Sequence, residues 1–266
     1  MSRTRGAWNT KAMWVAGVAL AGVVILTGYA AIGGDEGKAP APAAGASPGA
    51  SGPAPGGSIP TYLPPKDWDE PQRWVALPRG ERTDEQASQV GFPHTTEGAA
   101  AMMAAAHTIS VGEGKTNVTE QLRTFNSYIS KSDHTAVNAA QVERSAREGD
   151  KTLAQELGVA EGVPLPQGAY LRVRVIGYKV VKQSNDEVSV WLLTRAMQKA
   201  GETAKESGGY ATTLSGAQWQ DGDWKVTLAA SSRAVDDTQG KPEPDAVAPG
   251  DEAFNRAGWT AIRAAS

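Results

Sequence analysis

Residues Ala12 to Ile32 (AMWVAGVALAGVVILTGYAAI) carry no charge and no proline. An α-helix needs about 20 such residues to cross roughly 30 Å of hydrocarbon. The run is therefore expected to form a transmembrane helix. Arg3, Arg5 and Lys11 precede it and Asp35 and Glu36 follow it, so the positive-inside bias puts the N-terminus in the cytoplasm. Trp14 and Tyr29 stand near its two ends, where amphipathic rings favour the headgroup region. The competing reading is a cleaved signal peptide with a site near Ala30, Ala31 and Gly33. A signal core spans only about 7–15 residues, which favours the anchor. Both readings carry the rest of the chain out of the cytoplasm.

The exported part is acidic. Three of the 26 Lys and Arg lie before the apolar run, leaving 23 basic against 29 acidic residues, a net charge of −6. That balance opposes nucleic acid or an anionic lipid surface as the main partner. With no cysteine in the chain, disulfide frameworks, thiolate metal sites and cysteine nucleophiles are excluded together.

Composition divides the 266 residues as follows. Residues 1–11 read as a cytoplasmic tail and 12–32 as the membrane span. Residues 33–66 read as a disordered stalk, since Asp35 to Pro60 is almost only Ala, Gly, Pro and Ser, which buries too little apolar surface to order. Residues 67–90 read as an extended lead-in. The folded body is expected over 91–232, with a loop and a short C-terminal helix over 233–266, the helix from Glu252 to Ala264.

Within that body the apolar period changes once. Thr95 can cap a helix with Ala99, Met102, Met103 and Ala106 on one stripe. A second helix starts near Asn117 with Val118, Leu122, Phe125 and Ile129 aligned, and a third spans Ala136 to Leu157, weakened at Gly149. Then Leu171, Val173 and Val175 alternate with Arg172 and Arg174, and the phase slips to Tyr178 and Val180, which suggests a bulge at Gly177. Val188 to Leu193 is apolar on both faces and reads as a central strand. A strand from Tyr210 to Trp219 turns at Asp221-Gly222 into Trp224, Val226 and Leu228. Helices first and an antiparallel meander after them make an α+β fold.

The residues that carry chemistry are few. Gly112 to Thr116 (GEGKT) resembles the end of a phosphate-binding loop, but Ile109 stands where the pattern demands glycine, and Thr116 serves better as a helix cap. Asn117-Val118-Thr119 fits a glycosylation sequon and is read as a helix start. Asp133-His134 with Tyr128 nearby is the best acid/base group available. Sequence neighbours rarely point at one site, so a solvated helix end is preferred for it. His94 is placed in the loop before the first helix and His107 at that helix's end, and no histidine pair has metal-ligand spacing. Trp191, Trp219 and Trp224 read as sheet-face aromatics, a pocket wall only if one is exposed on a concave side. No catalytic, cofactor-binding or metal-binding residue is assigned.

Three helices followed by a sheet that ends in Trp219-Gln-Asp-Gly-Asp-Trp-Lys-Val226 resemble the nuclear-transport-factor-2-like cone fold. An apolar segment, a proline-rich stretch and such a domain are together similar to inner-membrane scaffold subunits of conjugative type IV secretion systems. Trp74-Val-Ala-Leu-Pro followed by Gly91-Phe-Pro-His-Thr-Thr-Glu-Gly-Ala-Ala-Ala101 resembles membrane-anchored proteins of actinobacterial integrative and conjugative elements. The resemblance covers Trp74 to Ala230 and implies helices packed on a curved antiparallel sheet. It also implies a non-enzymatic scaffold in a cell-envelope transfer complex, without cofactors, partnered by other envelope proteins or copies of itself. The rival expectation is a tethered small-ligand pocket or enzyme inside the cone.

Overall fold

The computed structural model describes residues 68–263, apart from 113 and 162. Strands β1 (Trp74–Val75), β2 (Arg82–Thr83) and β3 (Gln89–Val90) lead into helix α1 (Thr96–Ala106). Strand β4 (Ile109–Val111) and helices α2 (Asn117–Tyr128) and α3 (Ala136–Leu157) follow. Next come the long strands β5 (Ala169–Gln183), β6 (Glu187–Ala200) and β7 (Ser207–Gln220) with the short β8 (Asp223–Val226). Helices α4 (Leu228–Thr238) and α5 (Glu252–Ala257) and strand β9 (Thr260–Ile262) close the chain.

Threonine starts four of these helices. Thr95, Thr116, Thr135 and Thr227 each hold extended backbone and accept a hydrogen bond from the N–H three residues on. Each thus satisfies one donor that a helix start leaves unpaired. Helix α1 is buried on nearly every side, Gly98 to Met103 included, and small residues make that possible. A side chain at Gly98 would put its first carbon 1.9 Å from the Pro93 carbonyl oxygen, so only glycine lets the helix start that close to the preceding loop.

The sheet runs in the order β1-β9-β5-β6-β7-β8, with β4 also paired to β5. Two register shifts in the β5–β6 ladder, between Val175 and Gly177 and between Val180 and Lys182, add local bend and twist. The first lies where the apolar phase slips in the sequence. Val188, Val190 and Leu192 of β6 pack with α1, Tyr128 and Trp224 on the inner face. The opposite face carries Trp191, Leu193 and Tyr210, covered by Phe254, Trp259 and Val247 of the C-terminal segment. Helix α4 also lies on that outer face, where Gly216 leaves room for Ala230.

Two parts of the expected architecture are corrected. The sheet is mixed rather than antiparallel, because β1 pairs in parallel with β9 (Trp74 with Ala261, Val75 with Ile262). The expected N-terminal transmembrane helix has no support: among the described residues no helix is long and apolar enough to cross a membrane. The longest, α3, is interrupted by charge at Glu143, Arg144, Arg147, Glu148, Asp150, Lys151 and Glu156. The run Ala12 to Ile32 and the stalk over 33–66 lie outside the described residues.

Three local expectations also change. Leu228 does not extend the last strand; Thr227 caps α4 there, in a stretch whose later half reads as loop in the sequence. The C-terminal helix stops at Ala257 with left-handed Gly258, and Trp259 and, in β9, Ala261 enter the core. In α2 the apolar stripe is only partly covered, with Leu122, Phe125 and Ile129 against Val142 and Ala139 of α3. The polar side of that helix is buried as well, with Asn117, Glu120, Gln121, Thr124 and Ser127 out of solvent.

Candidate functional site

The acid/base group disperses in three dimensions. The Asp133 carboxylate accepts hydrogen bonds from Ser130 Oγ at 2.7 Å and from the Leu228 backbone N–H at 2.9 Å, so it anchors the first turn of α4. His134 is exposed, stacks on Phe125 with ring centroids 4.3 Å apart, and lies 3.1 Å from Asn126 Oδ1. Tyr128 is buried in the inner core, and burial raises its phenol pKa above the ordinary value, opposed by a hydrogen bond with Ser88. No two of the three meet.

The other two histidines are structural as well. His94 lies flat on Trp219 at 4.0 Å, and its Nε2–H points to the Asn185 carbonyl at 2.8 Å and the Asp186 carboxylate at 3.0 Å. Trp219 pairs directly with Trp224 across the hairpin, their rings edge to face at 5.5 Å. Trp224 is fully buried and donates its indole N–H to the Pro93 carbonyl at 2.9 Å. Neither tryptophan lines the two concave regions described below. His107 caps α1 with Nε2 3.4 Å from Ser215 Oγ, and burial lowers its pKa to about 4, which keeps the ring neutral. Asn117 is buried and donates to the Ala146 carbonyl at 3.1 Å, so the sequon holds no glycan in this fold.

Two concave regions bear on the site. A groove of about 300 Å³ runs between the β2–β3 segment and helices α1 and α2, past Leu77, Phe92, Ala101, Arg123 and Tyr128. Its charge is already engaged, since Arg123 donates to Ser88 Oγ, the Thr108 carbonyl and Glu120 Oε2.

The second region, a cleft of about 500 Å³, lies on the outer face of the sheet past the edge of its C-terminal cover. Ser110 of β4, Tyr170 and Arg172 of β5 and Lys199 of β6 line it, with Gly112 and Glu202 at its rim. Arg172 stacks over the Tyr170 ring at 4.2 Å. The Tyr170 hydroxyl donates to Glu206, which raises its pKa. One row further along the same face, Arg174 pairs directly opposite Arg195, and Arg195 opposite Tyr210. Arg174 and Arg195 are exposed, and among the described residues no carboxylate makes an ion pair with either.

This cationic face is not legible in the sequence. Arg172 and Arg174 show in β5 as the polar half of an alternation, which ordinarily means solvent contact. Their convergence with Arg195 and Lys199 depends on the β5–β6 register over 20 intervening positions. No group of three or more His, Cys, Asp or Glu able to hold a metal occurs among the described residues. No family model, curated protein or solved structure matches the chain.

Proposed function

We propose that this chain is a non-enzymatic assembly component of a cell-envelope transfer complex of the conjugative, type IV secretion-like kind. Its folded body works outside the cytoplasm as a protein-binding module, with other envelope proteins or further copies of itself as partners. The observation that carries the reading is the dispersal of the acid/base group, since Asp133 is spent on capping α4 and His134 on packing against Phe125. General acid–base catalysis needs such groups within about 3 Å of a common reacting atom. The hairpin Trp219 to Val226, which resembles the nuclear-transport-factor-2-like cone fold, and the segment Trp74 to Ala101, which resembles membrane-anchored proteins of actinobacterial conjugative elements, support the transfer setting. The basic and apolar N-terminal sequence, followed by a Pro- and Gly-rich stretch, supports export.

The competing reading is a small-ligand or catalytic cone. It needs polar groups free to converge on a ligand, whereas Arg123, the one cation lining the 300 Å³ groove, is held by three oxygen acceptors.

In-cell cross-linking of the full chain tests the proposal. Envelope proteins or copies of the chain should be recovered at stoichiometric levels, and His134→Ala should leave both recovery and melting unchanged. A chain that cross-links to nothing, or a normally folded His134→Ala variant that loses its cellular function, would overturn it.

A further inference from the structure

We infer that the outer sheet face around Arg172, Arg174, Arg195 and Lys199 is a docking surface for an extended acidic segment of a partner protein. The inference rests on the binding-module reading above and names the chemistry of its partner. Like charges directly opposite on neighbouring strands stand about 5 Å apart at Cβ and destabilise a sheet. Arg174 and Arg195 form such a pair, in the open, with no neutralising carboxylate among the described residues. A sheet that keeps this repulsion lowers its energy when carboxylates are brought to it.

Geometry selects an extended peptide. Arg172 and Arg174 follow each other at i and i+2 on one face, so they repeat about every 7 Å. A partner strand with acidic residues at alternate positions repeats at the same interval. Stacking on Tyr170 holds the Arg172 guanidinium plane in place and leaves its N–H edges available for a carboxylate. Lys199 and Ser110 extend the donor row into the 500 Å³ cleft. Glu202 and Glu206 flank the patch and limit its reach, and the net charge of −6 outside residues 1–32 repels a long polyanion such as DNA. A short acidic segment meets the cations without crossing the acidic surround.

The test is fluorescence anisotropy on the purified full chain with a labelled peptide of alternating Glu and Thr. The Gln/Thr analogue and single-stranded DNA of equal charge serve as comparators. The Glu peptide should bind, weaken steeply with salt, and lose roughly tenfold in affinity in the Arg174→Gln/Arg195→Gln variant. The same variant should melt no lower than the parent, because it relieves a like-charge pair. Absence of binding, equal binding by the variant, or tighter binding of DNA than of the Glu peptide would overturn the inference. Cross-linking the parent and variant chains in cells separates this failure from the larger one. Complexes that persist while the peptide fails to bind leave the module reading standing, whereas a parent chain without complexes removes it.

Discussion

At the residue scale, the two-residue turn Asp221-Gly222 sets the register of the last two strands. Both residues have positive φ, +52° and +80°, the pair that a type I′ hairpin requires. No atom lies within 4 Å of a side chain built at Gly222, so a substitution there acts through backbone strain rather than collision. Gly222→Val should therefore cost about 1–3 kcal/mol in urea unfolding, since a β-branched residue resists that φ. His107 makes a second prediction. In the unfolded chain its ring protonates near 6.5, while the buried ring stays neutral down to about 4. Its contribution to stability is present in full above pH 6.5 and is withdrawn as pH falls from 6.5 to 4. The loss is on the order of 3 kcal/mol, because the unfolded chain alone takes up the proton in that window. His107→Asn should flatten the acid limb between those values; an unchanged slope would mean the ring is not the source.

Helix α4 shows at the element scale how a helix stands without an apolar stripe legible in its sequence. Thr227 and Asp133 both serve its first turn, the latter from 95 residues away. Further along, Arg233 reaches Glu187 of β6 with two bonds, of 2.9 and 2.6 Å. Asp133→Ala should lower stability by about 1–3 kcal/mol, because it removes a charged acceptor and leaves the Leu228 N–H unpaired. His134→Ala next to it should shift stability by less than about 0.5 kcal/mol, as an exposed residue does. Thermal melting of the two variants in parallel checks the difference. Equal effects would show that the stacking of His134 on Phe125 matters as much as the cap.

The whole molecule is closed by its two described ends. The Ala261 and Arg263 N–H groups donate to the carbonyls of Arg73 and Val75, Asn255 bonds Asp69 and Glu70, and Arg73 reaches the Gly258 carbonyl. Phe254, Trp259 and Ala261 then complete the core over Leu193 and Trp191. Trp259→Ala should cost about 3–5 kcal/mol by denaturant unfolding, through lost burial and the space left between the sheet and the Asp245 segment. A smaller loss would mean that the C-terminal cover is an appendage rather than part of the folding unit.

What the sequence determined by itself is local. Threonine caps, the Ala and Met stripe of α1, the apolar run of β6 and the Asp-Gly turn each lie within a dozen residues, and they mark helix starts, a buried helix, a central strand and a hairpin. What only the tertiary structure decided rests on pairing between distant segments. Helix α2 buries its polar side because α3 takes the apolar one. Strand β9 exists because β1 and β5 flank it, and Asp133 becomes a cap because the chain returns to it at Leu228. The cationic face arises in the same way: alternation in β5 sends two arginines outward, but the β5–β6 register sets Arg195 against them. The C-terminal segment covers Tyr210 at one end of that row and leaves the arginines in solvent. Local propensity is a property of a few neighbouring residues, whereas these features depend on which surfaces are left to bury once the long strands have paired.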